Sequence, residues 1–529
     1  MAAENNTLGG FGQQPAYSEP SFLKSLDNVS VSRWQIFFGL ITAYWLYSTI
    51  RFHRTQAKVP GVGYPTSPIF AAFPLVASWI AAYRFMRNPL GLMTEGFAKH
   101  RPGFFRISTL QSEFVIVTDI KKTAEYLKAS DDVFSFQDAA NEQQQIPFTM
   151  GWGIGYRTYH TPVIRVQLTQ SLKTRVPLML GEIQQALDEL IGSPQEYQPF
   201  SMYGLIATVV AQASNMVMIG PELAHNKPFL ALAIKYAEAV VISAELIRPF
   251  PDWLKHILIR IVPVWARRKD ARRYLEPMLR ARLAGDFKDG QKPDDLLQWL
   301  MDVAPQGIER SIPALVERYM AMNVASIHTT TMTFSGAIYK LAAEPEKYAG
   351  ELREELEQVL KEGPLSKDSL QKLKKMDSFL RESARFNNSG LLAMQRNARQ
   401  EFKFSDGTVL PPGARVGAPT RFIHRDPDRY ENSQEFDGFR FSKIRSSNED
   451  AANKYQMVST EPELHVFGHG KHACPGRFFA TNEMKLMLAE LIQRYDMKLA
   501  EGEKPNEFLL GTMCFPDTKL NVWLKARTR

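Results

Sequence analysis

The segment Phe467-Gly-His-Gly-Lys-His-Ala-Cys474-Pro-Gly476 gathers side chains that can do chemistry. Cys474 closes a glycine-rich loop where a helix is expected to begin. Pro475 suits the first helical position, because the N–H it lacks is one of the donors left without a helical partner there. That puts Cys474 near the N-cap, where the helix dipole and free backbone N–H groups favour a thiolate over a thiol. Gly468 and Gly470 let the backbone turn tightly and approach a flat ligand, and Gly476 leaves room beside the sulfur. A soft anion held rigidly under a planar cofactor is what a haem–thiolate centre requires. Two other readings use the same residues. His465, His469, His472 and Cys474 form an H-x3-H-x2-H-x-C set that zinc accepts. A structural cysteine packed into a turn is the third.

Three further groups stand apart from this loop. Glu382 and Arg385 are three residues apart and share one helical face, as an ordinary solvated pair also would. Arg440 follows in Phe436-Asp-Gly-Phe-Arg440-Phe441, framed by aromatics. One carboxylate bridging two guanidiniums would pin a long meander onto the helix behind the cysteine loop. Upstream lies Ala325-Ser-Ile-His-Thr329-Thr330-Thr331, whose hydroxyls either compete for helix carbonyls and bend the helix or simply pack on one face.

The cysteine segment resembles the haem-binding signature of the cytochrome P-450 family, F-x-x-G-x-R-x-C-x-G, with His472 where the family carries arginine. Fungal members often have a similar G-H-x-x-H-A-C-P-G-R-F-F-A stretch. Arg440 is similar to the arginine of the family's P-x-R-F segment, with Gly438 replacing the proline and expected to change loop stiffness. The resemblance implies haem b as cofactor, Cys474 as the iron ligand, and Phe467, Gly468, Gly470, His472 and Gly476 around it. Glu382, Arg385 and Arg440 would form the buried structural network. Thr329, with Thr330 and His328, would occupy the oxygen-handling position: Thr329 kinking the helix and donating to dioxygen, His328 standing where an acid is usual. Arg165 would meet a haem carboxylate, or else lie on the surface. The resemblance spans roughly residues 60–525, and is nearest to ent-kaurene oxidase-like and other terpenoid hydroxylases of fungi.

It implies a monooxygenase acting on a large hydrophobic substrate, supplied with electrons by NADPH–cytochrome P-450 reductase, or by cytochrome b5, docking near Lys471. The chain has no G-x-G-x-x-G motif or flavin module with which to take electrons from NADPH itself. Two alternatives need no oxygen chemistry: a haem–thiolate isomerase or dehydratase, prompted by His328, and a non-catalytic haem sensor.

These residues need a large scaffold. The chain has 529 residues, 44% of them hydrophobic, enough for an extensive core. The family fold is mainly α with a minor β-sheet region, preceded by an N-terminal transmembrane helix. Residues 1–33 are polar and read as a disordered lumenal tail. Trp34–Ile50 carries no charge, lies between Arg33 and Arg51, and spans roughly 25 Å as a helix, so 34–51 reads as a membrane anchor or, alternatively, a buried core helix. Arg51, Arg54 and Lys58 after it bias the body toward the cytosol, implying a single-pass endoplasmic reticulum protein. Residues 52–66 form a Pro/Gly hinge, and 67–529 the catalytic domain. Strands are expected over Phe104–Thr118, helices over most of 160–400, and a hairpin over Phe402–Val409. A helix after Cys474 is expected to bury one face through Ala480, Met484, Met487, Leu488, Leu491 and Tyr495. Pro249 to Trp265 reads as a bilayer-dipping entrance or a buried connector. Arg267, Arg268, Lys269, Arg272 and Arg273 read as a solvated face, and Cys514 as packed. The net charge of +8 without an aromatic-interleaved basic stripe argues against nucleic acid and for a membrane surface or acidic partner. Two cysteines provide no disulfide framework.

Overall fold

A computed structural model describes residues 56–528 except 72, 110–111 and 448–453, together with six isolated positions between 35 and 50. The chain divides into Met1–Arg54 and Thr55–Arg529. The tail expected over 1–33 lies outside the described residues, as does most of the expected anchor. Its described positions, Gln35, Gly39, Thr42, Leu46, Tyr47 and Ile50, are helical. Residues 56–66 of the expected hinge are non-helical, and they are stitched to the first strand. Val62 N–H donates to the Arg106 carbonyl at 2.9 Å and Arg106 N–H to the Pro60 carbonyl at 2.8 Å.

The helices that matter here are α1 (Pro74–Arg87), α2 (Thr169–Leu190), α3 (Met202–Ile219), α4 (Lys227–Ile247), α5 (Pro263–Ala284), α6 (Ile312–Ala343), α7 (Pro345–Lys361), α8 (Lys374–Phe386) and α9 (Arg477–Arg494). Their starts follow local chemistry. Asn226 caps α4 by accepting from Phe229 N–H, and Ser311 caps α6 with Pro313 in the first turn. One core joins α2, α3, α6, α7, α8 and α9, and a second joins α3, α4, α5 and the first half of α6. Among the described residues α3 alone is long and apolar enough to cross a membrane, but 78% of it is buried in the body, as a central core helix would be.

The β structure is small. Strands β1 (Phe104–Ser108), β2 (Glu113–Val117), β8 (Arg415–Ala418), β5 (Ala393–Ala398) and β3 (Phe134–Ser135) lie in that order in one sheet, antiparallel except for the β2–β8 pair, and β4 (Gln198–Ser201) belongs to another. The expected strand pair is therefore β1–β2. The expected hairpin pairs β6 (Phe402–Lys403) with β7 (Val409–Leu410) around Gly407, whose φ of +88° suits glycine.

Two expectations fail in detail. The helix α9 is buried all round rather than on one face, with Glu483, Lys485 and Glu490 inside and Tyr495 starting a strand beyond it. The basic run on α5 is not uniformly solvated. Arg268 reaches the carbonyls of Phe148 and Thr149 at 2.9 and 2.8 Å and the Glu317 carboxylate at 3.1 Å.

Candidate active site

Helix α9 begins at Arg477 with Gly476 as N-cap, so Pro475 lies before the cap and not at the first helical position. The turn starts later than the proline alone predicts, because Phe467 and Cys474 close the loop across its mouth. Cys474 N–H donates to the Phe467 carbonyl at 2.8 Å, and Gly468 N–H to the His465 carbonyl at 3.0 Å. Gly468 and Gly470 take φ of +66° and +75°, the left-handed conformation that the closure demands. An added Cβ at Gly468 would meet nothing closer than 3.9 Å, so conformation and not space selects glycine there.

The Cys474 sulfur receives backbone N–H groups from Gly476 and Arg477, which pull its pKa down, but burial outweighs them and pushes the thiol up. Burial therefore opposes the thiolate that the loop dipoles favour, and a bound metal cation would favour it further.

The four proposed zinc ligands diverge. His465 Nε2 bonds the Pro462 carbonyl, His469 Nδ1 faces Thr460 at 3.4 Å, and His472 Nε2 meets Asp131 at 2.8 Å. Among the described residues no group of three or more His, Cys, Asp or Glu is arranged to hold a metal ion. The set spaced for zinc in sequence is pulled apart by these separate partners.

Lys471, Arg165 and Arg396 bring cations to the edge of the loop, where Asp131 pairs with Lys471 at 3.1 Å. His472 stacks on Phe136 at 5.0 Å and its pKa is lowered by burial against the pull of Asp131. Arg165 Nη2 donates to the Lys471 carbonyl at 3.1 Å, so this exposed arginine lies against the cysteine loop. Sequence reasoning missed Arg396. It lies on β5 in phase with the buried Met394 and Ala398, is 4% exposed, and sits over Phe136 at 5.2 Å. Its Nη1 donates to the Gln395 carbonyl at 2.7 Å. A charged residue on the buried phase of a strand was the available signal.

Behind the loop, the three residues grouped by sequence meet. Arg385 Nε and Nη2 form a bidentate pair with Glu382 at 2.8 Å each, and Arg440 Nε reaches the same carboxylate at 3.1 Å. Arg385 Nη1 continues to the carbonyls of His424 and Ser433 at 2.6 and 2.9 Å, while Arg440 binds those of Glu431, Asn432 and Glu435. A second arginine on α8, Arg381, is equally buried and pairs with Glu461 at 2.5 Å. Space constrains Gly438, whose expected effect on loop stiffness is a separate matter. An added Cβ would lie 2.5 Å from Phe379 Cδ2 and 3.0 Å from Tyr348 Cε1, inside an edge-to-face aromatic cluster with Phe436 and Phe439.

The threonine segment lies in the middle of α6, which continues unbroken from Ile312 to Ala343. Ala325 and Thr329 form an exposed stripe in the middle of this largely buried helix, while Thr330 and Thr331 face the core. The Thr329 hydroxyl donates to the Ala325 carbonyl at 2.6 Å, and Thr333 donates to the Thr329 carbonyl at 2.9 Å. His328 turns to neighbouring helices, with Nδ1 3.4 Å from the Tyr203 hydroxyl and Nε2 2.9 Å from the Ile234 carbonyl. One cavity, lined by Thr333, Asn387, Asn388, Ser389, His465 and Val466, links α6 to the start of the cysteine loop.

The family model for cytochrome P450 matches residues 68–522. The chain belongs to the cytochrome P450 family. It is 34% identical over 505 residues to cytochrome P450 monooxygenase 151 of Postia placenta, covering 92% of this chain and 99% of that one. It is 30% identical over 489 residues to the ent-kaurene oxidase of Gibberella intermedia, covering 90% and 89%. The fold matches a retinoic acid-bound cyanobacterial cytochrome P450, CYP120A1, with a TM-score of 0.66 at 20% identity over 89% of this chain and all of that one. Members of this family are haem b monooxygenases with an axial cysteine thiolate. The residues present fit that group. Cys474 has converging N–H donors and, among the described residues, no competing metal-binding cluster, Arg396 supplies a buried cation near the loop, and α6 carries the exposed Thr329 hydroxyl.

Proposed function

We propose that this P450 monooxygenase holds its haem on Cys474 and oxidises a large hydrophobic substrate, a terpenoid or comparable fungal specialised metabolite. The observation that carries the haem assignment is the cysteine loop itself, closed by Phe467 and Cys474 over two left-handed glycines. The haem, when bound, supplies the redox-active iron at which oxygen is activated. The chain's own residues do the rest. Arg396, His472 and Arg165 meet the carboxylates of the cofactor, and Glu382, Arg385 and Arg440 keep the support rigid. Thr329 presents its hydroxyl from the open stripe, with Thr330 behind it.

Electrons come from NADPH–cytochrome P450 reductase, or from cytochrome b5, on the face around the half-exposed Lys471. Similarity to the ent-kaurene oxidase supports the terpenoid class. An N-terminal anchor over 34–51 and a cytosolic body on the endoplasmic reticulum complete the reading. Trp253, Ile257 and Ile261, 69%, 56% and 79% exposed at the helix Asp252–Leu258 and just beyond it, support a bilayer-dipping entrance.

A second reading, a haem–thiolate isomerase or dehydratase, is prompted by His328 standing where the family carries an acid. Two measurements decide. The carbon monoxide difference spectrum of reduced membranes should show a red-shifted Soret band that Cys474→Ser abolishes; haem-free protein would end the proposal. Product from candidate diterpenes should require reductase and NADPH, whereas turnover without them would favour the second reading.

A further inference from the structure

His424 ends the short helix Thr420–His424, is fully buried, and touches both halves of the support. Its carbonyl accepts Arg385 Nη1 at 2.6 Å, and its ring Nε2 accepts the backbone N–H of His465 at 2.7 Å. A backbone N–H only donates, so Nε2 carries no proton and the neutral ring holds its proton on Nδ1. That Nδ1 has no hydrogen-bond partner among the described residues, and burial together with the adjacent His465 keeps the pKa well below the usual histidine value. Protonation at Nε2 would break the bond to His465.

His465 has the opposite tautomer. Its Nε2 donates to the Pro462 carbonyl, leaving Nδ1 to accept from the Thr420 hydroxyl at 3.4 Å, and its ring meets that of His424 edge-on at 5.3 Å. The His465 carbonyl then takes Gly468 N–H, and Phe467 takes Cys474 N–H. A continuous path thus runs from the Glu382–Arg385 pair through the His424 ring into the first turn of the cysteine loop.

We propose that His424 is a positioning residue whose unprotonated Nε2 sets the register of the Cys474 loop against α8. Replacing the ring by an apolar side chain would orphan a buried backbone N–H, and the loop start would shift to find a new acceptor. The inference rests on the reading of Cys474 as haem ligand.

The test compares full-length wild type, His424→Leu, His424→Gln and Cys474→Ser for haem content, the reduced carbon monoxide spectrum and thermal unfolding. Glutamine can offer its Oε1 where the ring offered Nε2. His424→Leu should bind haem but lower the ratio of red-shifted to unshifted Soret band by roughly tenfold, the scale of one orphaned buried N–H. His424→Gln should restore that ratio toward wild type. A folded His424→Leu with an unchanged spectrum overturns the inference. If the leucine variant does not fold, the glutamine variant decides: a retained red-shifted band supports the role of the acceptor, and its loss in folded protein overturns it. Wild type lacking the band would instead reject the haem–thiolate reading.

Discussion

On the cysteine side of the site charge does the holding, and on the threonine side apolar packing does. Glu382 and Arg385 are completely buried and Arg440 nearly so, with each guanidinium spread over several backbone carbonyls. The hydroxyls of Thr329 and Thr333 are instead satisfied within their own helix, and this half of α6 is packed by the buried Ile327, Met332, Phe334, Ile338 and Tyr339, the helix's buried ion pair, Arg318–Glu309, lying three turns earlier. A network of buried charges tolerates no missing member, because each partner removed leaves an uncompensated ion. A self-satisfied hydroxyl stripe can change with little cost to the fold. The two sides should therefore respond differently to single substitutions.

The largest effect is expected at Glu382. Its change to Gln leaves Arg385 with no countercharge at a fully buried position and should cost about 3–5 kcal/mol. Against a typical total of about 5–15 kcal/mol that is a third or more of the stability. Denaturant unfolding reads it directly. An unchanged midpoint would mean that the carbonyl contacts of Arg385 and Arg440 suffice without the carboxylate.

Next comes Gly438→Ala, which forces a Cβ to within 2.5 Å of Phe379. Overpacking of this kind should cost about 1–3 kcal/mol. Phe379→Leu in the same chain should recover part of it, and thermal unfolding of the single and double variants measures the coupling. Recovery would assign the glycine to space; equal losses would return it to loop flexibility.

Much of the cysteine side was legible in sequence because its motifs are local. Glu382 and Arg385 share a helical face, and Arg440 sits between phenylalanines. What was not legible depends on residues brought from far along the chain. Asp131 takes His472, Glu461 takes Arg381, and the His424 ring takes the His465 amide N–H. Helix α9 shows the same limit. Its apolar positions mark one face, yet the surrounding helices α2, α3, α7 and α8 enclose the others, so Glu483 is buried against the Ser214 hydroxyl at 2.8 Å. On the threonine side the repeat of three threonines left the register open; burial separates Thr329 from Thr330 and Thr331.

Glu483 gives a smaller, pH-dependent test of buried charge. Burial raises its pKa from 4.5 to about 8, so the folded protein keeps its proton where the unfolded chain has lost it. The folded state then binds more protons between these values, and stability is full below about pH 4.5 and declines as pH rises toward 8. Glu483→Gln removes this titration while preserving a neutral side chain. Its urea midpoint should fall less than that of wild type between pH 5 and pH 8, and parallel curves would contradict a protonated Glu483.

The smallest effect on stability, and the sharpest on chemistry, belongs to Thr329. Thr329→Val deletes a hydroxyl bonded to the Ala325 carbonyl at 2.6 Å on an open stripe, at a cost of about 1 kcal/mol or less. The β-branched replacement keeps the side-chain shape that the helix already accommodates. Product formed per NADPH consumed should nevertheless fall by about tenfold, the effect of one lost transition-state hydrogen bond worth about 1.4 kcal/mol. Thr330→Val, one position away and buried in the core, should leave that ratio unchanged. His328→Gln should also leave it nearly unchanged, because the histidine ring meets Tyr203 and the Ile234 carbonyl on neighbouring helices. If His328→Gln lowers the ratio as much as Thr329→Val does, a proton reaches the open stripe through the Tyr203–His328 contact, and this side too depends on a polar network.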